Sequence, residues 1–186
     1  MTGLSEISPG HELENLRNAL GRVSDFSLAI DCGAHQGIWT RMMLTKFDRV
    51  WAFEPKWSNF VKLPEGSHNV PMAVGLDGGK YSLETGPENT GQWHVRPGNE
   101  IAMCALDWWD WPSCGFLKVD VEGWEAKALL GAQRLIERHG PVVLIEENGL
   151  CEKYYKTPKG TAGALLEMWG YKLAAICNKD FIYVRV

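Results

Sequence analysis

Asp31-Cys32-Gly33-Ala34-His35-Gln36-Gly37 lies between an apolar run, Leu28-Ala29-Ile30, and a run with helical spacing, Ile38 to Leu44. The first run reads as the end of a buried strand. The second reads as a helix able to turn Ile38, Trp39, Met42 and Met43 to one face. Glycines 33 and 37 at a strand-to-helix turn let the backbone approach a ligand, at the carboxyl edge of a parallel sheet where ligands bind. The acidic residue separates the ligand classes. A dinucleotide loop, Gly-x-Gly-x-x-Gly, offers amides and a helix N-terminus to a pyrophosphate and would not welcome a carboxylate there. Asp31 at the strand end suits a cation instead, such as S-adenosylmethionine with its amino group and sulfonium.

A second acid supports this. Val50-Trp51-Ala52-Phe53 reads as a short buried strand, ended by Glu54-Pro55, and Glu54 lies 23 residues after Asp31. The second strand of a Rossmann-type unit puts a ribose-binding carboxylate at about this distance, roughly 20 residues on. A carboxylate accepts hydrogen bonds from both ribose hydroxyls. Nicotinamide enzymes share that feature, and Glu54 could equally just end a strand before a proline turn.

The 186 residues fit one domain with a substantial core, and 45% hydrophobic content is ordinary for a globular chain. A net charge of −4 gives no general basic footprint, so no nucleic-acid partner is indicated, although a local patch around Arg17, Arg22 and Arg41 stays open. No apolar run reaches the ~20 residues of a membrane helix, and no signal-peptide core opens the chain, so no membrane partner is expected. Cysteines 32, 104, 114, 151 and 177 form an odd, scattered set without metal-ligand spacing. Reduced thiols in a cytoplasmic protein are the expectation, with neither disulfides nor a zinc site.

Along the chain, residues 11–22 predict a helix with Leu13, Leu16 and Leu20 on one side, within an N-terminal helical cap (1–27) on a single domain spanning 1–186. Asn69 to Val74 reads as a third strand with Pro71 near its start or on an edge. Residues 75–100 break the rhythm and read as an inserted hairpin or flap. Ile101–Leu106 follows as a strand, then a tryptophan-rich turn. Gly115–Val121 is the fourth strand of the main run, residues 124–138 a helix, Pro141–Glu146 the fifth strand and 161–169 a helix. Tyr171–Ile176 and Phe181–Val186 form an antiparallel hairpin. The expected fold is α/β: a Rossmann-like class I methyltransferase fold, with a mostly parallel seven-stranded sheet, an antiparallel C-terminal strand and helices on both faces.

The second dense segment is Phe116-Leu117-Lys118-Val119-Asp120-Val121-Glu122-Gly123-Trp124-Glu125. Alternation puts Lys118 and Asp120 on one face, joined by Glu122 if the strand continues, with Leu117, Val119 and Val121 on the other. A Lys-Asp-Glu row on a central strand is costly to bury without partners or purpose. Its end belongs beside the first strand's end, and Glu146 can join the group. An ion pair of Lys118 with Asp120 or Glu146 is the structural alternative. Glu125 reads as a first-turn acid of the next helix.

These blocks, with Asp31 to Thr40 and Val50 to Pro55, make the sequence resemble the FkbM family of S-adenosylmethionine-dependent methyltransferases. Leu106-Asp107, Gly131-Ala132 and a strand ending at Glu146 also match the family pattern, and Asn89-Thr90-Gly91 loosely resembles its Asn-Ser-Gly stretch. The likeness runs over about 28–148. His35-Gln36 in the loop and the Trp108-Trp109-Asp110-Trp111 cluster depart from it. The resemblance implies S-adenosylmethionine as cofactor and methyl transfer, usually to a hydroxyl oxygen. By position it suggests Asp31, Gly33, Gly37 and Glu54 for the cofactor and places Asp120 and Glu122 near the methyl donor or acceptor; Ala34, His35, Asp107 and Asp120 complete the candidate cofactor set. Catalytic work falls to Asp120, Glu122, Lys118 and Glu146.

Methyl transfer is an in-line displacement, so positioning dominates, and an acceptor hydroxyl needs a base. Asp120 or Glu122 is the candidate, with His35 and His94 behind them. A metal-assisted variant would use Asp107, Asp120 and Glu146, although no spacing requires it and no metal is expected. Helical spacing predicts that Trp108 and Trp111 pack on the sheet and leaves Trp109 for solvent or ligand. The expected partner is a small-molecule or sugar hydroxyl. An NAD-dependent oxidoreductase and a non-catalytic adenosyl-binding module are the alternatives.

Overall fold

Short strands apolar on both faces, separated by helices, can bury themselves only in a parallel sheet covered on both sides. The computed structural model describes residues 10–85 and 93–186, with side chains described from Glu14 onward. The chain runs α1 (Gly10–Leu20), β1 (Ala29–Cys32), α2 (Ile38–Met43), β2 (Val50–Phe53), α3 (Trp57–Phe60), β3 (His68–Val70) and β4 (Met72–Val74). Then come β5 (Gly79–Thr85), β6 (Trp93–Pro97), β7 (Ile101–Cys104), a 3-10 turn at Leu106–Trp108 and β8 (Phe116–Val119). It closes with α4 (Glu125–Leu130), α5 (Gln133–His139), β9 (Val142–Glu146), α6 (Leu150–Tyr155), α7 (Thr161–Met168), β10 (Tyr171–Cys177) and β11 (Asp180–Arg185).

The main sheet has seven strands in the order β10-β11-β9-β8-β1-β2-β3. From β3 to β9 neighbouring strands are parallel, and β11 runs antiparallel to both β9 and β10. The expected fold class is what forms. One face carries Ile30, Cys32, Leu117, Val119, Val143 and Ile145 against α4, α5 and α7. The other carries Ala29, Phe116, Leu144 and Ile182 against α1 and α2. The register pairs Asp31 with Lys118 and Lys118 with Leu144, so those two charged residues lie side by side on the α1/α2 face. Because the chain leaves β1 toward β2 on one side and β8 lies on the other, the crevice at their carboxyl ends is the switch point of the sheet.

Three expectations change in detail. The third strand is two strands: β3 edges the main sheet, Pro71 interrupts, and β4 opens a second, four-stranded sheet of order β4-β7-β5-β6. A proline has no N–H for a ladder and ends pairing at its own position. The predicted strand at 101–106 is β7 of that second sheet, which also holds the inserted β5–β6 hairpin.

The helix expected over 124–138 is broken at Gly131-Ala132. A side chain on Gly131 would meet the Gly75 carbonyl oxygen at 1.9 Å, so the helix turns where that loop presses on it. Helices α3 and α6 had no periodic signal strong enough to predict them. Asn89-Thr90-Gly91 and the side chain of Leu13 lie outside the described residues. No helix among the described residues is long and apolar enough to cross a membrane.

Candidate active site

A cavity of roughly 300 Å³ opens at the carboxyl ends of β1, β2 and β8 and is roofed by the second sheet. Ala34, His35, Glu54, Pro55 and Asn59 form one end. Lys118, Asp120 and Glu122 lie along the floor and far wall, while Leu83, Trp93, Val95, Met72 and Trp124 supply apolar cover.

Gly33 and Gly37 both have φ of +79°, the left-handed region where only glycine is unstrained. A Cβ on Gly33 would sit 1.8 Å from the Asp120 carbonyl oxygen. Its bareness lets the β1–α2 loop touch the loop after β8, so this glycine joins two loops besides lining the cavity. Gly37 begins α2 and does not line the cavity; a Cβ there would meet Pro64 at 2.7 Å.

Glu54 follows β2 and is 6% exposed. Its Oε2 accepts the His35 amide at 2.8 Å and its Oε1 the Lys56 amide at 2.9 Å. With the Asn59 side chain also beside it, the carboxylate keeps part of its acceptor capacity for the cavity. Burial pushes this carboxyl up to about 7, against the pull of those two amides. His35 takes a left-handed backbone, φ +51°, and burial lowers its imidazole's pKa, favouring the neutral ring.

Asp31 does not line the cavity. It is fully buried, accepting from Thr40 Oγ1 at 2.7 Å through Oδ2 and facing Lys118 Nζ at 3.3 Å through Oδ1. Lys118 Nζ also meets Asp120 Oδ2 at 3.2 Å. Burial alone would pull the ammonium's pKa down, but Asp120 and Asp31 hold it above the usual lysine range. The structural alternative raised for Lys118 is therefore realised, with Asp31 and Asp120 as partners rather than Glu146.

Strand β8 stops at Val119, and the Asp120 amide bonds to the Cys32 carbonyl at 3.0 Å. The chain then turns through Glu122, φ +56°, and Gly123, φ +96°, which brings the Glu122 side chain into the cavity wall. Glu122 Oε2 is buried without a hydrogen-bond partner. Burial, and then Asp120, raise Glu122 to about 7. Glu125 does more than begin α4: its Oε1 accepts the Val121 and Gly123 amides at 3.2 and 3.0 Å, tying the loop from beneath. Glu146 ends β9 just outside the cavity lining. Burial, then Asp120 and Glu122, raise it to about 9.

Asp107 is not brought to this group. Its two carboxylate oxygens accept the amides of Arg134 and Leu135 at 2.9 and 3.0 Å, which caps α5 from a distant part of the chain. Asp107, a candidate cofactor contact, is therefore not in the cavity lining, and the metal trio that included it is not brought together. Among the described residues no group of three His, Cys, Asp or Glu side chains is placed to hold a metal ion.

Of the tryptophans, Trp111 packs as expected while Trp108 and Trp109 do not follow expectation. A three-residue 3-10 turn followed by extended chain replaces helical spacing. Trp108 is 57% exposed, Trp109 packs edge-on against Phe53, and Trp111 is buried with its indole N–H on the Leu106 carbonyl. Trp93 and Trp124 line the cavity instead. His94 lies beyond it, stacked on Tyr154 at 3.7 Å. Asn148, which had drawn no notice, reaches both Glu146 and Glu122. Its position before Gly149 and a new apolar start was the available signal, that of a helix cap.

This strand order, with its cavity at the switch point, is that of a class I S-adenosylmethionine-dependent methyltransferase fold. The model of the FkbM methyltransferase domain matches residues 110–171, about a third of the 186-residue chain, which bears out the resemblance to that family. A methyltransferase FkbM from Methylobacillus flagellatus KT superposes with a TM-score of 0.57 at 20% identity, over 86% of this chain and 43% of that one. The chain thus spans less than half the length of that relative. A protein of Streptococcus mutans assigned as a methyltransferase, solved with S-adenosylhomocysteine, gives 0.55 at 13% identity over 95% and 97% of the two chains. A precorrin-6y C5,15-methyltransferase from Geobacter metallireducens GS-15 gives 0.56 at 13%, over 99% and 91%. Identities this low show the fold. A search of curated proteins finds no match.

Proposed function

We propose that this protein is an S-adenosylmethionine-dependent methyltransferase acting on a hydroxyl of a small molecule or sugar. The observation that carries the reading is a single cavity with Glu54 at one end and the unpartnered Glu122 Oε2 at the other. The residues fit the cofactor. Glu54, fixed by two amides, has acceptor capacity left for a ribose diol. The Gly33–Ala34–His35 backbone borders the same space, and Asp120 offers a carboxylate to a cationic group.

When bound, S-adenosylmethionine supplies an electrophilic methyl on a sulfonium. Asp31 serves indirectly, fixing Lys118, which in turn orients Asp120. Glu122 is the base for the acceptor hydroxyl, since it is at the wall and its pKa near 7 matches a proton exchanged at neutral pH. The apolar roof excludes water from that proton transfer.

Calorimetric titration with S-adenosylhomocysteine, and separately with NAD, tests the cofactor. Micromolar binding of the first and none of the second supports the reading. The reverse result, on folded and ligand-free protein, would sink it. Acceptor screening with a methyl-labelled cofactor then tests the hydroxyl assignment, which product mass and demethylation chemistry would distinguish from transfer to nitrogen.

A further inference from the structure

Five carboxyl groups converge at the ends of β1, β8, β9 and β11. They are Asp31, Asp120, Glu122, Glu146 and, paired in register with Glu146, Asp180. Against them stand one buried ammonium, Lys118, and one exposed, Lys179. Asp31 and Asp120 take Lys118, and Asp180 accepts the Asn15 amide at 2.6 Å. Glu122 and Glu146 are left without a cation in contact. Asn148 lies beside both: its Nδ2 donates to Glu146 Oε2 at 2.6 Å, its Oδ1 accepts the Leu150 amide at 3.0 Å, and its side chain is near enough to Glu122 to favour that carboxyl's charged form.

We propose that Asn148 is a positioning residue that joins Glu122 and Glu146 into one proton-holding pair, and that the pair gives up its proton when the cationic methyl donor enters the cavity. This deepens the methyltransferase reading and rests on it. Two half-buried carboxylates that repel one another do not both ionise readily, so a shared proton is the cheaper state. The upward shifts of Glu146 and Glu122 have the sign this requires. A positive charge beside Asp120 and Glu122 offsets the excess of carboxylates, and the proton leaves to solvent.

The pair is then ionised only while the donor is loaded. During transfer the oxygen–hydrogen bond of the acceptor breaks and its proton goes to the pair. The acceptor oxygen's electron pair forms the new bond to carbon, and the electrons of the broken carbon–sulfur bond stay on sulfur. The product state is a protonated pair beside a neutral thioether, the same protonation as before loading.

The test counts protons rather than turnover. S-adenosylmethionine, S-adenosylhomocysteine and sinefungin, which carries an ammonium in place of the sulfonium, are titrated at pH 7 in buffers of different ionisation enthalpy. The two cationic ligands should release about half a proton or more beyond S-adenosylhomocysteine. Subtracting the same titrations of Glu146→Gln removes each ligand's own ionisation, and the excess should vanish in that variant. Asn148→Asp keeps an acceptor for the Leu150 amide but adds a carboxylate in place of the donor. It should shift the pH of release upward by about one unit while the protein stays folded by circular dichroism. Equal proton counts for all three ligands in the native protein, or an unmoved release pH in folded Asn148→Asp, would overturn the proposal. Failure of all three ligands to bind folded protein would instead remove the cofactor reading beneath it.

Discussion

Asp31 at the end of β1 and Glu146 at the end of β9 flank the same strand, β8, and share one face of the sheet. Asp31 is the more deeply buried, yet it has Lys118 and Thr40 as partners. Glu146 has a neutral amide and two other carboxyl groups for company. The difference teaches how to sort buried acids. Where a cation is built in beside the carboxylate, the charge belongs to the fold. Where none is, the group holds a proton and is available for chemistry.

Removing the cation gives the largest expected effect. Lys118→Met leaves Asp31 buried and unpaired, and should cost about 3–5 kcal/mol in urea unfolding. Asp31→Asn together with Lys118→Met should recover much of that loss, because the uncompensated charge goes with it. A loss under ~1 kcal/mol for the single variant would mean that Asp31 is not held by charge pairing, and the comparison would collapse.

Glu54 lies between the two cases, satisfied by amides but facing the cavity. Glu54→Gln keeps an acceptor oxygen for one backbone amide and loses the charge. S-adenosylhomocysteine affinity should fall by roughly 30-fold, equivalent to ~2 kcal/mol for charge-assisted bonds to the ribose hydroxyls. An unchanged affinity in a folded variant would make Glu54 a loop brace only, on the Asp31 side of the division.

The sheet and the cavity were legible in the sequence because β1, β2, β8 and β9 are short, mostly apolar runs with an acid at or next to their carboxyl ends. Each acid marks a strand's carboxyl end. Partnership was not legible. That Asp31 faces Lys118 depends on register between β1 and β8, which no local pattern encodes. Pro71 signalled an interruption, but whether the chain continued in the same sheet or left it was decided by pairing with β7, about 30 residues on. Trp111 packs as expected, but Trp108 and Trp109 exchange roles because helical spacing was applied to a turn with only three helical residues. Asn148 and Glu125 act through single side-chain bonds to loops, below the resolution of periodicity.

The pair's proton also has a stability signature. Glu146 binds a proton in the folded state up to about pH 9, while an unfolded glutamate loses it near pH 4.3. Between those values the folded protein holds the extra proton, so this group makes stability fall as pH rises. Glu54, Glu122 and Glu125, raised to about 7, act with the same sign at lower pH and are largely ionised above it. From pH 7 to 9 the thiols of Cys32, Cys104 and Cys114, raised by burial, act with the same sign as Glu146, so the share of Glu146 is read as the difference between the native protein and its variant. Glu146→Gln should flatten the decline there by up to about 1 kcal/mol per pH unit, measured as unfolding free energy across that interval. An identical slope in the variant would mean that Glu146 is ionised in the folded protein and belongs with Asp31.

Asp107 offers the smallest effect and the cleanest control. It is an acid that the family pattern marks, yet both its oxygens accept α5 amides on a side of the sheet away from the cavity lining. It differs from the Glu122–Glu146 pair: its partners are N–H groups at a helix start, where negative charge is favoured, and the exposed Arg134 guanidinium at 3.7 Å. Asp107→Ala should lower the unfolding free energy by about 1 kcal/mol, with Asp107→Asn recovering part of it through one retained acceptor. S-adenosylhomocysteine affinity should stay within about twofold, since ~0.4 kcal/mol is all that a remote cap would transmit. If affinity fell tenfold while stability held, Asp107 would be a ligand contact after all. Partner geometry alone would then be an insufficient guide to which acids serve the fold and which serve the site.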